Sequence, residues 1–339
     1  MRILASILFI IFVSLSAAFV YLYSQVTFDA SNIIDFKPKL TTQIYDRNGE
    51  LIANIFDENR IYVKYEDIPP RVIEALVAIE DTSFFEHGGV NPEAITRAIV
   101  KDIKAGKLVE GASTLTQQLV KNMVLTREKK LTRKLKEMII SMKLENELTK
   151  EQILERYLNH VYLGHGYHGI KTAAKGYFRK ELDELTLKEI AILVGLPKAP
   201  STYDPTRHLD LSLSRANNVI SRMNALGWIS DAEYKAALVE QPVVFDDTLT
   251  QNKAPYIVDE VLKEASKRFE DIKTGGYVIE TSVDLKVQDM ASEALKYGYN
   301  EILKRNKDAN ASILNGAIVV TLPKTGEILA LVGGVDYAK

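Results

Sequence analysis

No charged residue interrupts the chain from Ile3 to Tyr23, and only Arg2 and the amino terminus precede that run. About 20 such residues cross a bilayer core as a helix. Ser16-Ala17-Ala18 has the small residues of a signal-peptidase site, but the apolar run continues through Phe19, Val20, Tyr21 and Leu22, which favours a retained anchor. Positive charge on the short N-terminal side puts everything after Ser24 outside the cytoplasm. From Thr41 to Ala53 the pattern alternates and breaks at Asn48-Gly49, a tight-turn dipeptide, which predicts a hairpin. Beyond Pro69 the period becomes helical. Pro69, Pro70, Val72, Leu76 and Ile79 predict a short helix with proline in its first turn. Asn91-Pro92 opens a helix whose Ile95, Ala98, Ile99 and Ile103 share a face and which ends at Gly106. A further helix has Leu131, Leu135, Met138, Ile139 and Met142 as its predicted buried stripe.

Four pairs in this region fit the capping box, in which two positions satisfy each other's orphan backbone donors: Thr114 with Gln117, Thr149 with Gln152, Thr186 with Glu189, and Ser230 with Glu233. They predict an all-α domain over residues 69–244. After Pro242 the texture changes, to a helix from Ala254 to Phe269, a strand from Gly276 to Val283, a helix from Leu285 to Leu303 and a hairpin from Ala317 to Val332 around Pro323-Lys324-Thr325-Gly326. The expected organisation is mainly α: an anchor over residues 1–24, an extracytoplasmic hairpin region over 25–68, the helical domain, and an α+β segment over 245–339.

Composition narrows the chemistry. The 339 residues carry a net charge of -2, so no global field recruits nucleic acid, and the absence of cysteine excludes disulfides, thiol catalysis and thiolate metal sites. There is no P-loop.

Glu80 and Asp81 end the first predicted helix, at the negative end of its dipole, which disfavours each charged form by up to about 1 kcal/mol. Such a pair is either functional or a plain surface pair in a turn. Gly111 to Asn122 reads as a capped helix start, where free N–H groups also suit an anion, with Lys121 further along. Arg133 and Lys134 sit four and three residues before Glu137, close enough for an ordinary surface ion pair. Lys121 to Lys143 holds eight basic residues against Glu128 and Glu137, a balance that suits a phosphate-bearing lipid or ligand outside the membrane. A carboxylate among those cations should stay ionised, whereas Glu80 has no cation near it in sequence; two carboxyls held apart in pKa can divide acid and base work. His160, His165 and His168 lie in a glycine-rich loop without metal-ligand spacing.

Five ordered motifs bring a specific resemblance: Glu80-Asp81-x-x-Phe84-x-x-His87-x-Gly89; Gly111-x-Ser113-Thr114-x-Thr116-Gln117-Gln118-x-x-Lys121-Asn122; Arg133-Lys134-x-x-Glu137; Ile153-Leu154-x-x-Tyr157-Leu158-Asn159; and Arg215-x-x-x-Val219-Ile220-x-x-Met223. From about Thr41 to Val244 the chain resembles the family 51 glycosyltransferase module of class A penicillin-binding proteins, the peptidoglycan polymerases. The resemblance implies a lysozyme-like helical fold and a membrane-anchored enzyme that joins lipid II to a growing glycan strand with inversion, releasing undecaprenyl pyrophosphate. By position, Glu80 matches the general base. Glu137 matches the second essential carboxylate, which orders neighbouring cations or a divalent metal, Mg or Mn, at the pyrophosphate. Thr114, Gln118, Lys121, Arg133 and Lys134 match residues that hold the donor's phosphates and sugar, within motifs that also contain Ser113, Gln117 and Asn122. Asp81, Phe84 and His87 match residues that shape the acceptor side. Lys129 stands where some members have arginine, trading a bidentate fork for a point charge.

The same resemblance implies inhibition by moenomycin-type phosphoglycolipids and partners among the cell wall synthesis proteins. The stretch after Pro242 is similar to the linker and first strands of a penicillin-binding transpeptidase domain. Neither Lys273-Thr274-Gly275 nor Lys324-Thr325-Gly326 follows a Ser-x-x-Lys nucleophile, and none occurs in these residues. A lysozyme-like lytic enzyme and a non-catalytic scaffold are the alternative readings.

Overall fold

The structure is a computed structural model. It describes residues 38–56, 59–106, 111–123, 130–246, 252–306 and 313–337, with isolated positions ahead of these. The expected anchor, Ile3 to Tyr23, lies for the most part outside the described residues, as does Lys129. Among the described residues no helix is long and apolar enough to cross a membrane.

Nine helices described between Pro70 and Val239 make the fold mainly helical: α1 (Pro70–Glu80), α2 (Pro92–Ala105), α3 (Leu115–Met123), α4 (Lys130–Glu147), α5 (Lys150–His160), α6 (Ile170–Phe178), α7 (Leu187–Gly195), α8 (Leu209–Ala225) and α9 (Asp231–Val239). Helix α7 is the centre. Every residue from Ile190 to Gly195 is buried, and a helix apolar all round can only be an interior one. Helix α1 packs on it through Val72, Ala75 and Leu76, and α8 through Ala216, Val219 and Ile220, all in one core with Leu115, Leu119, Ile153, Leu154 and Tyr157 of α3 and α5. Gly195 lets α8 approach, since a Cβ there would stand 2.9 Å from Arg215 Cγ.

The four capping boxes all form. Two buried faces differ from expectation. On α4, Ile139 is buried as expected, but Leu135 is 45% exposed while Glu137, Ile140 and Leu144 are buried, so the stripe is turned by about one position, and a carboxylate lies within it. On α2, Ile99 and Ile103 are 53% and 75% exposed, and only Ala98 is buried. The predicted apolar face exists, but among the described residues no core covers it.

The predicted hairpin forms as β1 (Thr42–Tyr45) and β2 (Leu51–Ile55), with Gly49 at φ +79° in its turn. It is not a free-standing pair. Strand β5 (Val278–Glu280) joins β1 in parallel, giving the order β2-β1-β5. A second, smaller core sits under this sheet, made of Ile44, Ile52 and Ala53 with Ile257 and Val258 of α10 (Pro255–Ala265), Val283, and Leu285 of α11 (Leu285–Arg305). The short strand β3 (Asn59–Arg60) pairs with β4 (Tyr167–His168), joining the chain's entry to the loop after α5. The final hairpin, β6 (Ile318–Thr321) and β7 (Ile328–Val332), packs on α11 through Ala330, Val332 and Ala291.

Candidate active site

Helix α1 buries its apolar face against α7 and α8, so its last residue emerges at the edge of the core. That residue is Glu80, whose side chain is 13% exposed. Oε2 accepts from Gln118 Nε2 at 2.9 Å, and Oε1 accepts from Arg215 Nη2 at 3.3 Å. Burial pushes the carboxyl above the ordinary glutamate range. It outweighs the hydrogen bond from Gln118 and the fields of Arg215 and Lys198, which act in the opposite direction. The shift expected at a helix end is therefore present, but desolvation is its main cause. The cations missing near Glu80 in sequence are supplied by α8 and by the turn after α7.

Asp81 leaves the helix and turns inward. Its Oδ2 accepts from the Leu115 N–H at 3.0 Å, at the start of α3, and its two oxygens lie 3.1 and 3.0 Å from His87 Nε2. The Gly89 N–H donates to His87 Nδ1 at 3.2 Å, which assigns the ring proton to Nε2. Lys150 Nζ donates to the His87 carbonyl and to Glu145 Oε2, each at 2.6 Å, and lies 4.4 Å from the centre of the Phe84 ring. Phe84 is fully buried, and the His87 side chain nearly so. These two residues hold the loop between α1 and α2 from beneath, while Asp81 both ties the loop to α3 and lines the cleft.

The start of α3 forms the facing wall. Gln117 Oε1 caps the Thr114 N–H, Thr114 Oγ1 caps the Gln117 N–H and donates to the Gly89 carbonyl, and Gln117 is thereby buried as a cap. Ser113 Oγ accepts from Lys134 Nζ at 2.7 Å, and the same ammonium pairs with Glu137 Oε1 at 2.5 Å. The buried Glu137 thus orients Lys134 across to the start of α3, with Arg133 half-buried beside it.

Between the walls lies a cleft of about 580 Å³ that brings together Glu80, Asp81, Ser113, Thr114 and Gln118 of the predicted set. Lys121 and Asn122 line an adjoining hollow of about 460 Å³, which Gln118 separates from the cleft and which His160 and His168 also line. Five cations without a predicted role face the main cleft: Arg97, Lys101, Lys198, Arg215 and Arg222. Arg215 opens the fifth sequence motif, the one signal that marked it beforehand; the others come together only through tertiary packing.

The histidine-rich loop does something else. His165, at φ 51°, has Nε2 2.6 Å from the Asp246 carbonyl and packs on Tyr167, while His168 stacks on Tyr162. Gly164, Gly166 and Gly169 spell Gly-x-Gly-x-x-Gly, but the run follows helix α5 instead of a strand. A Cβ at Gly164 would stand 2.8 Å from the Tyr177 hydroxyl, and one at Gly169 2.9 Å from the Asn159 carbonyl oxygen, so Gly164 and Gly169 serve packing, while Gly166 serves the turn with its φ of +76°.

A family model described as transglycosylase matches residues 48–224, a span that contains every cleft residue named above. The chain belongs to the transglycosylase family. Among curated transglycosylase relatives, penicillin-binding protein 1F of Bacillus subtilis is 38% identical over 326 residues, covering 93% of this chain and 44% of the relative. Penicillin-binding protein 1A of Haemophilus influenzae is 43% identical over 258 residues, covering 75% and 30%. The crystal structure of the latter protein matches with 28% identity and a TM-score of 0.46, over 86% of this chain and 39% of that one. This transglycosylase chain spans less than half the length of these relatives.

Proposed function

We propose that this chain is a peptidoglycan glycosyltransferase that polymerises lipid II at the outer face of the cytoplasmic membrane, held there by the Ile3 to Tyr23 segment. The observation that carries the reading is Glu80: a carboxyl raised by burial, on the wall of a cation-lined cleft, with both oxygens held and an open face. A base poised nearer neutrality takes a proton better than an ordinary glutamate does. The acceptor's 4-hydroxyl attacks the anomeric carbon of the strand's terminal sugar, and its proton passes to Glu80. The anomeric carbon–oxygen bond to the pyrophosphate breaks, and that oxygen leaves with the bonding pair as undecaprenyl pyrophosphate. Inversion at the carbon follows from attack opposite the leaving group. Lys134, aimed by Glu137, and the positive end of the α3 dipole stabilise the departing charge, and moenomycin-type inhibitors compete for the same groups.

Among the described residues no cluster of three or more His, Asp or Glu side chains could hold a metal alone, and Glu137 is already engaged by Lys134. The residues fit a divalent cation, Mg or Mn, only if the pyrophosphate supplies most of its oxygens. When bound, such a cation would neutralise leaving-group charge.

The test is incubation with lipid II. The expected outcome is longer glycan strands and released undecaprenyl pyrophosphate, reduced by ~10²-fold or more in Glu80→Gln. Shortening of preformed glycan would instead make the chain lytic, absence of turnover would make it a scaffold, and near-normal turnover in Glu80→Gln would remove the base assignment.

A further inference from the structure

Behind Glu80 lies a hydrogen-bonded pair that the proposed chemistry does not itself require. Gln118 Nε2 donates to Glu80 Oε2, and its other amide atom, Oε1, accepts from the Tyr157 hydroxyl at 3.1 Å. Tyr157 is 1% exposed, and its ring is fixed in the main core. We infer that Tyr157 is a positioning residue for the base: by donating to Oε1 it braces and polarises the Gln118 amide whose N–H meets Glu80, which favours the ionised carboxylate. The inference rests on the reading of Glu80 as the base.

An amide has two orientations that place oxygen and nitrogen in nearly the same positions, and an ionised carboxylate can only accept. If Gln118 turned over, its oxygen would face the Glu80 oxygen, and the lost donor would be replaced by repulsion. The ionised carboxylate itself sets the orientation, since a phenol can accept as well as donate; the phenol keeps its proton, because burial together with the Glu80 carboxylate holds its pKa well above the ordinary tyrosine range, and so adds a donated bond to Oε1. A bond donated to the charged form lowers a carboxyl pKa. The chain Tyr157 to Gln118 to Glu80 therefore limits how far burial raises the base. Because consecutive hydrogen bonds polarise one another, a stronger donor at Tyr157 makes a stronger donor of the amide.

Tyr157→Phe removes one oxygen and leaves the ring in the core. With lipid II as substrate and the full chain in detergent, the acidic limb of its pH–rate profile should move upward by about half a unit to one unit. The KM for lipid II should stay within about twofold, since the interaction acts on the base and not on substrate binding. Gln118→Met should move the limb in the same direction, and the double variant should move it no further than the larger single shift. Replacing Tyr157 by 3-fluorotyrosine, a more acidic phenol of nearly the same size, should move the limb downward, and it carries the test should the phenylalanine variant not fold. A limb unmoved by both Tyr157 replacements, or shifts that add in the double variant, would overturn the inference. Glu80→Gln is the control that separates the two claims: if it remains active the base reading itself fails, and if it is inactive while the Tyr157 limb stays in place only the relay fails.

Discussion

Glu80 can accept a proton only when ionised, so turnover should fall as pH drops through its pKa, and burial sets that limb above the ordinary glutamate range. Arg215 opposes burial with a nearby positive charge. Arg215→Gln removes that charge, leaves the carboxyl more strongly disfavoured, and should move the acidic limb to still higher pH, with the largest loss of rate at the acid end. Paired pH–rate profiles of the two proteins check this, and a limb that moved downward would show that Arg215 does not act on Glu80 electrostatically. The pairing also shows what was legible at this scale. The sequence placed Glu80 and Asp81 at a helix end and Lys134 three residues before Glu137, because those relations are local. It could not place Arg215 beside Glu80, since 135 residues separate them and only the packing of α8 on α1 brings them together.

At the scale of elements, the capping boxes were legible because each is closed within four residues, and all four form. Burial faces were harder to read. The periodicity of α4 was correct, but its buried face centres on Ile140, Ser141 and Leu144 together with Ile139, which carries Glu137 inward and leaves Leu135 to solvent. The loop between α1 and α2 depends on a close approach of the same kind, hidden from the sequence except as a glycine. Gly89 has φ +91°, and a Cβ there would lie 2.5 Å from the Ser141 carbonyl oxygen, against the backbone of α4. Gly89 also accepts from Thr114 and donates to His87. Gly89→Ala should therefore cost roughly 2–4 kcal/mol, through backbone strain and steric overlap with main chain that cannot move aside cheaply. The cost should appear as a lowered Tm together with lowered turnover, because the displaced loop carries Asp81. An unchanged Tm would mean that α4 and the loop separate more easily than their packing implies.

At the scale of the molecule the described residues form two main cores of unequal size, and the smaller one is closed by parts far apart in sequence. Strand β1 pairs with β5, and Thr42 Oγ1 donates to the Ile272 carbonyl at 2.5 Å across 230 residues. The hairpin itself was readable from Asn48-Gly49, but its third strand was not, since parallel pairing leaves no local turn signal. Ile44 is fully buried in this small core and absent from the large one around α7. Truncating it should remove roughly 2–5 kcal/mol from the structure it supports. That loss is large for so small a core and nearly irrelevant to the larger one, which shares no buried residue with it. Ile44→Ala is accordingly expected to speed amide exchange in β1, β2 and β5 and in the first turns of α10 and α11. Exchange in α1, α5 and α7, and with it the proposed polymerisation of lipid II, should stay close to the parent's. Uniform acceleration through the helical domain would instead show that the two cores unfold as one cooperative unit, and that the pairing of β1 with β5 helps hold the cleft in shape.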